Sequence, residues 1–327
     1  LRFGSDVDIL LGRPQTADAA ERTFRALNLA GAGSPNPASR VRWLIDTESR
    51  LQSFEAVAES RGTPIRVNLE IDVGLRRGGA IDEEELLAML AIVEGSDVLE
   101  FAGFMGYDGH VPFAPDGLDP DTEFAEVQRR YREFVDVAGA AYPSLIGDST
   151  LFNGGGSRTY HLYTDDLDSP INEVAMGSAF FYPENFSDLV DGELRTATYL
   201  ASPVLKRINP AEVPFARGIL PAAAEADPNL EVAFYLDGAG YPADFVHPPG
   251  LVDNPFNPST PGVTNLLSNQ PQWLGARSLE LSVDDFVFYH PWEGDGIRWL
   301  SKLEVFRGGT WIDQWTTFQP GTPAGLG

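Results

Sequence analysis

The chain has 327 residues, 43% of them hydrophobic, enough for one large core or two domains. Its formal net charge of −25 disfavours nucleic acid and anionic membranes as partners, and no apolar run reaches membrane-spanning length. Cysteine is absent, which excludes disulfides, thiolate metal sites and a cysteine nucleophile and makes the cytoplasm the expected location.

The N-terminus, from Leu1 to Asp6, carries no signal-peptide pattern. Val7 to Leu11 then reads as a buried strand, followed by a helix from Thr16 to Leu29 with Thr16 as N-cap. After a Gly/Pro/Ser loop come a strand at Val41–Ile45 and a helix at Glu48–Ser60. A strand at Ile65–Ile71 precedes a helix at Asp82–Val93, whose acidic start suits the helix dipole. Val98–Met105 is the next strand and Thr122–Ala140 the next helix. Pro143–Ile146 is expected to be a strand running into a glycine loop, and the apolar run Glu173–Phe181 the last strand of the series.

Strands that alternate with helices predict a parallel sheet with crossover helices. The absence of a dinucleotide fingerprint favours a (β/α)8 TIM barrel over a doubly wound sheet. A barrel needs eight strands and six are visible, so two βα units, on the order of 60 residues, are expected before Leu1. After about Asp188, prolines, glycines and short alternating stretches predict a mostly β domain. The expected division is 1–188 for the barrel and 189–327 for the β domain.

Asn153-Gly154-Gly155-Gly156-Ser157 is the segment richest in implication. Glycines let backbone N–H groups approach an anion, and the serine adds a hydroxyl donor. The spacing is neither a P-loop nor a dinucleotide loop, so a small phosphorylated ligand and a plain surface turn both remain open. Three further segments concentrate polar groups where barrel chemistry sits. Residues 68–79 end a strand with Glu70, Asp72, Arg76, Arg77 and glycines. Tyr107-Asp108-Gly109-His110 follows the next strand. Gly177-Ser178 places small residues inside an apolar run, a sign of close approach by a ligand or another backbone.

Together these segments resemble the pyridoxal-phosphate enzymes of the alanine racemase fold, above all the D-threonine aldolase and D-serine dehydratase branch. Glu70, Asp72, Gly74, Arg77 and Gly79 match its Glu-x-Asp-x-Gly-x-x-Arg-x-Gly segment, and residues 107–110 its Tyr-Asp-Gly-His segment. Gly154, Gly155, Gly156 and Ser157, with Tyr160 nearby, match its phosphate loop, and Gly177-Ser178 the pair in its last barrel strand. The resemblance implies pyridoxal phosphate bound as a Schiff base to a lysine of the first barrel strand. Lys206 and Lys302 are the only lysines and neither suits that position, so the lysine is expected upstream of Leu1; the rival reading is a member that has lost it.

The implied roles are phosphate binding for Gly154 to Ser157, Gly177 and Ser178. Tyr107, Asp108 and His110 would line the ring and substrate side, and Arg77 would contact the cofactor or its hydrogen-bond network. Relatives hold a divalent metal through a His and an Asp or Cys two residues later. Here His290 is followed at that spacing by Trp292, which cannot ligate, so Glu293 or Asp295 would replace it for Mn, Mg or Zn. A metal-free His290 that meets the substrate hydroxyl stands beside that reading. The implied activity is cleavage of β-hydroxy D-amino acids or dehydration of D-serine-like substrates, by a homodimer with a shared active site. The alternatives are an amino acid racemase and a pyridoxal-phosphate-binding protein without turnover.

Overall fold

The computed structural model describes residues 7–30, 36–115, 117–181, 186, 195–213, 217–238, 242–255, 270–294, 296 and 300–316. They fall in two compact units, Leu1–Met176 and Gly177–Gly327.

The first unit alternates strands and helices. In chain order these are β1 (Ile9–Leu11), α1 (Ala17–Ala30), α2 (Pro37–Arg40), β2 (Val41–Ile45), α3 (Glu48–Arg61) and β3 (Ile65–Glu70). They continue as α4 (Glu83–Glu94), β4 (Leu99–Met105), α5 (Pro120–Ala141), β5 (Leu151–Gly154) and β6 (Glu173–Val174). Side-chain caps fix the helix starts. Thr16, Thr47, Asp82 and Asp119 each accept a backbone N–H three residues on. Gly62, in the left-handed region, closes α3. The six strands are all parallel and lie in sequence order from β1 to β6.

One face of the sheet is apolar and packs under the helices. Trp43 lies between Phe24 of α1 and Phe54 of α3, and Ile65, Val67, Leu69 and Phe104 continue that layer. The other face carries Arg42, Asn68, Asn153 and Glu173. Arg42 is 2% exposed, and its guanidinium makes two bonds, of 3.0 and 2.7 Å, to the Glu173 carboxylate. Its Nε lies 3.1 Å from Asp8. β2 and β6 are four places apart in the sheet, about 19 Å if it were flat. An arginine and a glutamate cannot span that gap, so the sheet must curl until the two strands face each other, as in half of a barrel. Asn153 Nδ2 donates to the same carboxylate at 2.8 Å. Burial tends to raise the Glu173 carboxyl, but the Arg42 and Asn153 hydrogen bonds outweigh it and hold the group below the usual glutamate range.

Two expected strands differ. Pro143 to Ile146 forms a turn, with Leu145 N–H bonded to the Tyr142 carbonyl. Its apolar residues Tyr142, Leu145 and Ile146 pack against the core instead of pairing. The strand that leads into the glycine loop is β5, half of which, Asn153 and Gly154, is not apolar. The run expected to span Glu173–Phe181 pairs only over Glu173–Val174, and a 3₁₀ turn at Ser178–Phe181 follows. Ala175, Met176 and Gly177 have weak strand preference, which agrees with that early end.

The second unit is mostly antiparallel. Its strands are β7 (Leu200–Ile208), β8 (Val232–Leu236), β9 (Ala243–His247), β10 (Leu251–Asp253), β11 (Gln272–Gly275) and β12 (Phe286–Pro291), with α6 (Ile219–Ala224) between β7 and β8. They form one sheet in the order β10-β11-β8-β7-β12-β9. Val204, Val232, Phe234, Leu236, Trp273, Val287 and Tyr289 make its core. β13 (Lys302–Arg307) and β14 (Thr310–Thr316) form a separate hairpin with Phe306, Trp311, Ile312 and Trp315 exposed.

The Arg42–Glu173 pair yields a stability prediction. Replacing Arg42 by Met leaves Glu173 without its cation, at an expected cost of about 2 kcal/mol. This lies under the fully buried range because Glu173 keeps 31% side-chain exposure. The folded carboxyl is depressed, so its stabilisation is present above the ordinary glutamate range and lost as pH falls through the lowered folded value. Urea unfolding at several pH values should show a lower midpoint for Arg42→Met and a shallower acid loss than in the unaltered protein. Equal midpoints would exclude this role for the pair.

Candidate functional site

Three loops leave the C-terminal ends of β3, β4 and β5 and meet at one rim. The first is organised by Asp72, which is 3% exposed and accepts the N–H groups of Gly74 at 2.8 Å and Arg76 at 3.1 Å. Arg130 of α5 donates to the carbonyls of Asp72 at 2.8 Å and Ile81 at 3.2 Å and so pins both ends of the loop. Glu70, at the end of β3, is buried. Burial first, and then Asp46, push its carboxyl above the usual range against the pull of Arg77. Glu70, Arg77 and Tyr107 line one crevice.

The second loop carries residues 107–110. The Arg77 guanidinium lies over the Tyr107 ring, 4.7 Å from its centroid. The edge of that ring rests on bare backbone: a Cβ on Gly156 would come within 2.8 Å of Tyr107 Cε2. His110 packs beside Gly74, and its buried Nδ1 has no hydrogen-bond partner among the described residues.

The third loop is the glycine turn. Gly155 has φ +80°, in the left-handed region, and a Cβ there would lie 2.8 Å from Val174 Cγ1. Thr159 and Tyr160 N–H groups bond the Gly156 carbonyl at 3.1 and 2.9 Å, which folds Ser157 and Arg158 into a tight turn. Asp108 lies beneath this turn, fully buried. It accepts from Thr159 Oγ1 at 2.7 Å and from the Tyr163 hydroxyl at 2.8 Å. Burial raises the Asp108 carboxyl and those two hydroxyls oppose the rise, leaving it above the usual range. Burial, with the adjacent Asp108, pushes the Tyr163 phenol far above its usual range.

The rim therefore brings together Arg77, Tyr107, Asp108, His110, Gly154, Gly155, Gly156, Ser157 and Tyr160. Gly177 and Ser178 come after β6 and belong to the second unit, where Ser178 lies against the bare Cα of Gly294. His290 is on β12, 6% exposed, with Nε2 2.9 Å from Thr196 Oγ1 and its ring 6.1 Å from that of Tyr199. Asp295 lies outside the described residues. Among the described residues no group of three or more His, Cys, Asp or Glu side chains gathers as a metal site. Lys206 donates to Gln270 at 2.6 Å, and Lys302 stands exposed on β13.

Sequence reasoning missed Thr159, Tyr163 and Arg130. All three act through hydrogen bonds to partners about 50 or more residues away, which no local pattern signals. A second hollow of about 560 Å³, lined by Arg66, Glu94, Glu100 and Ser144, lies at the opposite, N-terminal end of β4. Parallel barrels carry their chemistry on the C-terminal face, so the rim is the candidate.

The rim sets an aromatic side chain, Tyr107, beside the glycine turn. The alanine racemase N-terminal domain matches residues 25–184, a span that includes all three rim loops. A 3-hydroxy-D-aspartate aldolase from Paracoccus denitrificans (strain Pd 1222) is 22% identical over 186 residues, 54% of this chain and 46% of that protein. The matched stretch is thus just under half the length of that aldolase. Among solved structures, a D-threonine aldolase from Filomicrobium marinum superposes with a TM-score of 0.68 at 16% identity, covering 95% of this chain and 76% of that one. D-threo-3-hydroxyaspartate dehydratase from Delftia sp. HT23 gives 0.61 at 17% identity, covering 95% and 79%. At such identities these structures establish the alanine racemase-like fold, a curled parallel sheet with a mostly β second unit. No helix among the described residues is long and apolar enough to cross a membrane.

Gly155 offers a direct check on the turn. In Gly155→Ala the methyl group must be accommodated at φ +80° and against Val174, at a cost of about 2 kcal/mol. Chemical unfolding should show that loss, whereas Gly139→Ala in α5, where a Cβ meets open space, should show none.

Proposed function

We propose that this protein is a pyridoxal-phosphate-dependent lyase of D-amino acids, which cleaves a β-hydroxy D-amino acid to glycine and an aldehyde or dehydrates it. The observation that carries this reading is the Tyr107 ring, set against the bare backbone of Gly156 with Arg77 over it. An aromatic ring, a cation and the backbone of a glycine turn are the groups that would recognise a planar heteroaromatic with a phosphate arm. The lyases of hydroxylated D-amino acids among its relatives support the substrate class.

When bound, pyridoxal phosphate supplies an electron sink for charge developing at the substrate α-carbon. The amides of Gly156 and Ser157 and the Ser157 hydroxyl would bind its phosphate, with Gly154, Gly155 and Tyr160 shaping the turn. Tyr107 would orient the ring, and Arg77 would fix Tyr107 and hold positive charge beside it. His110, whose buried Nδ1 has no partner among the described residues, and Glu70, whose carboxyl is raised, would be the rim groups able to take or return a proton. In the second unit, His290, braced by Thr196, is the candidate for handling a substrate hydroxyl proton. A homodimer belongs to this proposal. The exposed aromatics of the β13–β14 hairpin supply apolar surface of the kind that subunits bury.

A racemase is the second reading, favoured by the family match over residues 25–184. Product analysis decides between them. The native protein, given pyridoxal phosphate, is incubated in turn with D-threonine, 3-hydroxy-D-aspartate, D-serine and D-alanine, with and without a chelator. The lyase reading predicts glycine and an aldehyde, or ammonia and a keto acid, from D isomers alone. The L enantiomer as the sole product, unaffected by chelator, would establish the racemase. No turnover of any D-amino acid would refute both.

A further inference from the structure

Asp108 lies against the proposed phosphate-binding turn and is bonded into it through Thr159. A buried carboxylate near a site for an anion would repel the ligand unless its charge were taken up elsewhere. Both oxygens are committed: Oδ1 accepts from Thr159 Oγ1 at 2.7 Å and Oδ2 from the Tyr163 hydroxyl at 2.8 Å. The two hydroxyls in turn donate to Asp108, which removes them as direct phosphate ligands. Their backbones bracket the turn. Thr159 N–H bonds the Gly156 carbonyl at 3.1 Å, and the Tyr163 ring stands where a Cβ on Gly155 would meet it at 3.3 Å. Asp108 Oδ1 itself lies 3.3 Å from where a Cβ on Gly156 would be. The Tyr163 ring is braced from behind by Phe124 of α5, edge-on at 5.2 Å.

We infer that Asp108, Thr159 and Tyr163 form a clamp that presets the shape of the glycine turn, and that this shape gives the site its preference for a phosphate ester over the free alcohol. The three are positioning residues, acting through the turn without touching the ligand. The inference rests on the phosphate-binding reading above.

Binding measurements on the native protein test it, with pyridoxal phosphate and pyridoxal as the two probes. The ratio of their dissociation constants isolates the phosphate, since the ring contacts are common to both. The unaltered protein is expected to favour pyridoxal phosphate. Thr159→Val and Tyr163→Phe each remove one bond to a charged group and are expected to reduce that ratio roughly tenfold, with pyridoxal affinity unchanged. Thr159→Ser keeps the hydroxyl and should restore the ratio, which guards against a loss caused by general unfolding. An unchanged ratio in both folded variants, even with a lower melting temperature, would overturn the clamp and leave the phosphate reading standing. No preference in the unaltered protein would sink the phosphate reading and the clamp with it.

Discussion

The fold turns on a buried cation held between strands that a flat sheet would keep far apart. Arg42 on β2 reaches Glu173 on β6, and Asn153 on β5 binds the same carboxylate. A desolvated ion pair of this kind contributes little net free energy over an apolar filling. What it contributes here is geometry. Its bonds can form only when the sheet curls, and the ends of the adjacent parallel strands β3, β4 and β5 lie on one rim of the curled sheet. The apolar layer under α1, α3, α4 and α5 supplies the bulk of the driving force, while the polar layer inside sets the curvature.

The rim repeats this division of labour on a smaller scale. Carboxylates shape each of two loops. Asp72 collects the N–H groups of its own loop and Asp108 the hydroxyls of the glycine turn. Both of these carboxylates are buried and bonded to internal donors. The proposed ligand would then meet the Tyr107 ring, the Arg77 guanidinium, the His110 imidazole, the Ser157 hydroxyl and backbone.

Much of this was legible in the sequence, for identifiable reasons. β2, β3 and β4 carry full apolar outer faces, and Thr16 is a recognisable cap, so their pattern survives in one dimension. β5 and β6 were misread because they are short and their inward residues, Asn153 and Glu173, are polar. An apolar run at Pro143–Ile146 imitated a strand and proved to be core packing in a turn. The rim motifs were readable because glycine, tyrosine, aspartate and histidine cluster within few residues. Thr159 and Tyr163 were not, because neutral hydroxyl residues acquire meaning only from the carboxylate they meet, more than 50 positions earlier.

The distribution of basic residues has a practical consequence for anyone who labels this protein. Every cation in the parallel-sheet unit is an arginine or a histidine, because Lys206 and Lys302 both belong to the second unit. Side-chain-directed amine reagents, acylating dyes and lysine cross-linkers alike, will therefore mark the antiparallel sheet and its hairpin and leave residues 1–176 untouched. One of the two targets, Lys206, is already engaged with Gln270, so exposed Lys302 should react first. Within residues 1–327, lysine-directed footprinting thus reports on the β unit.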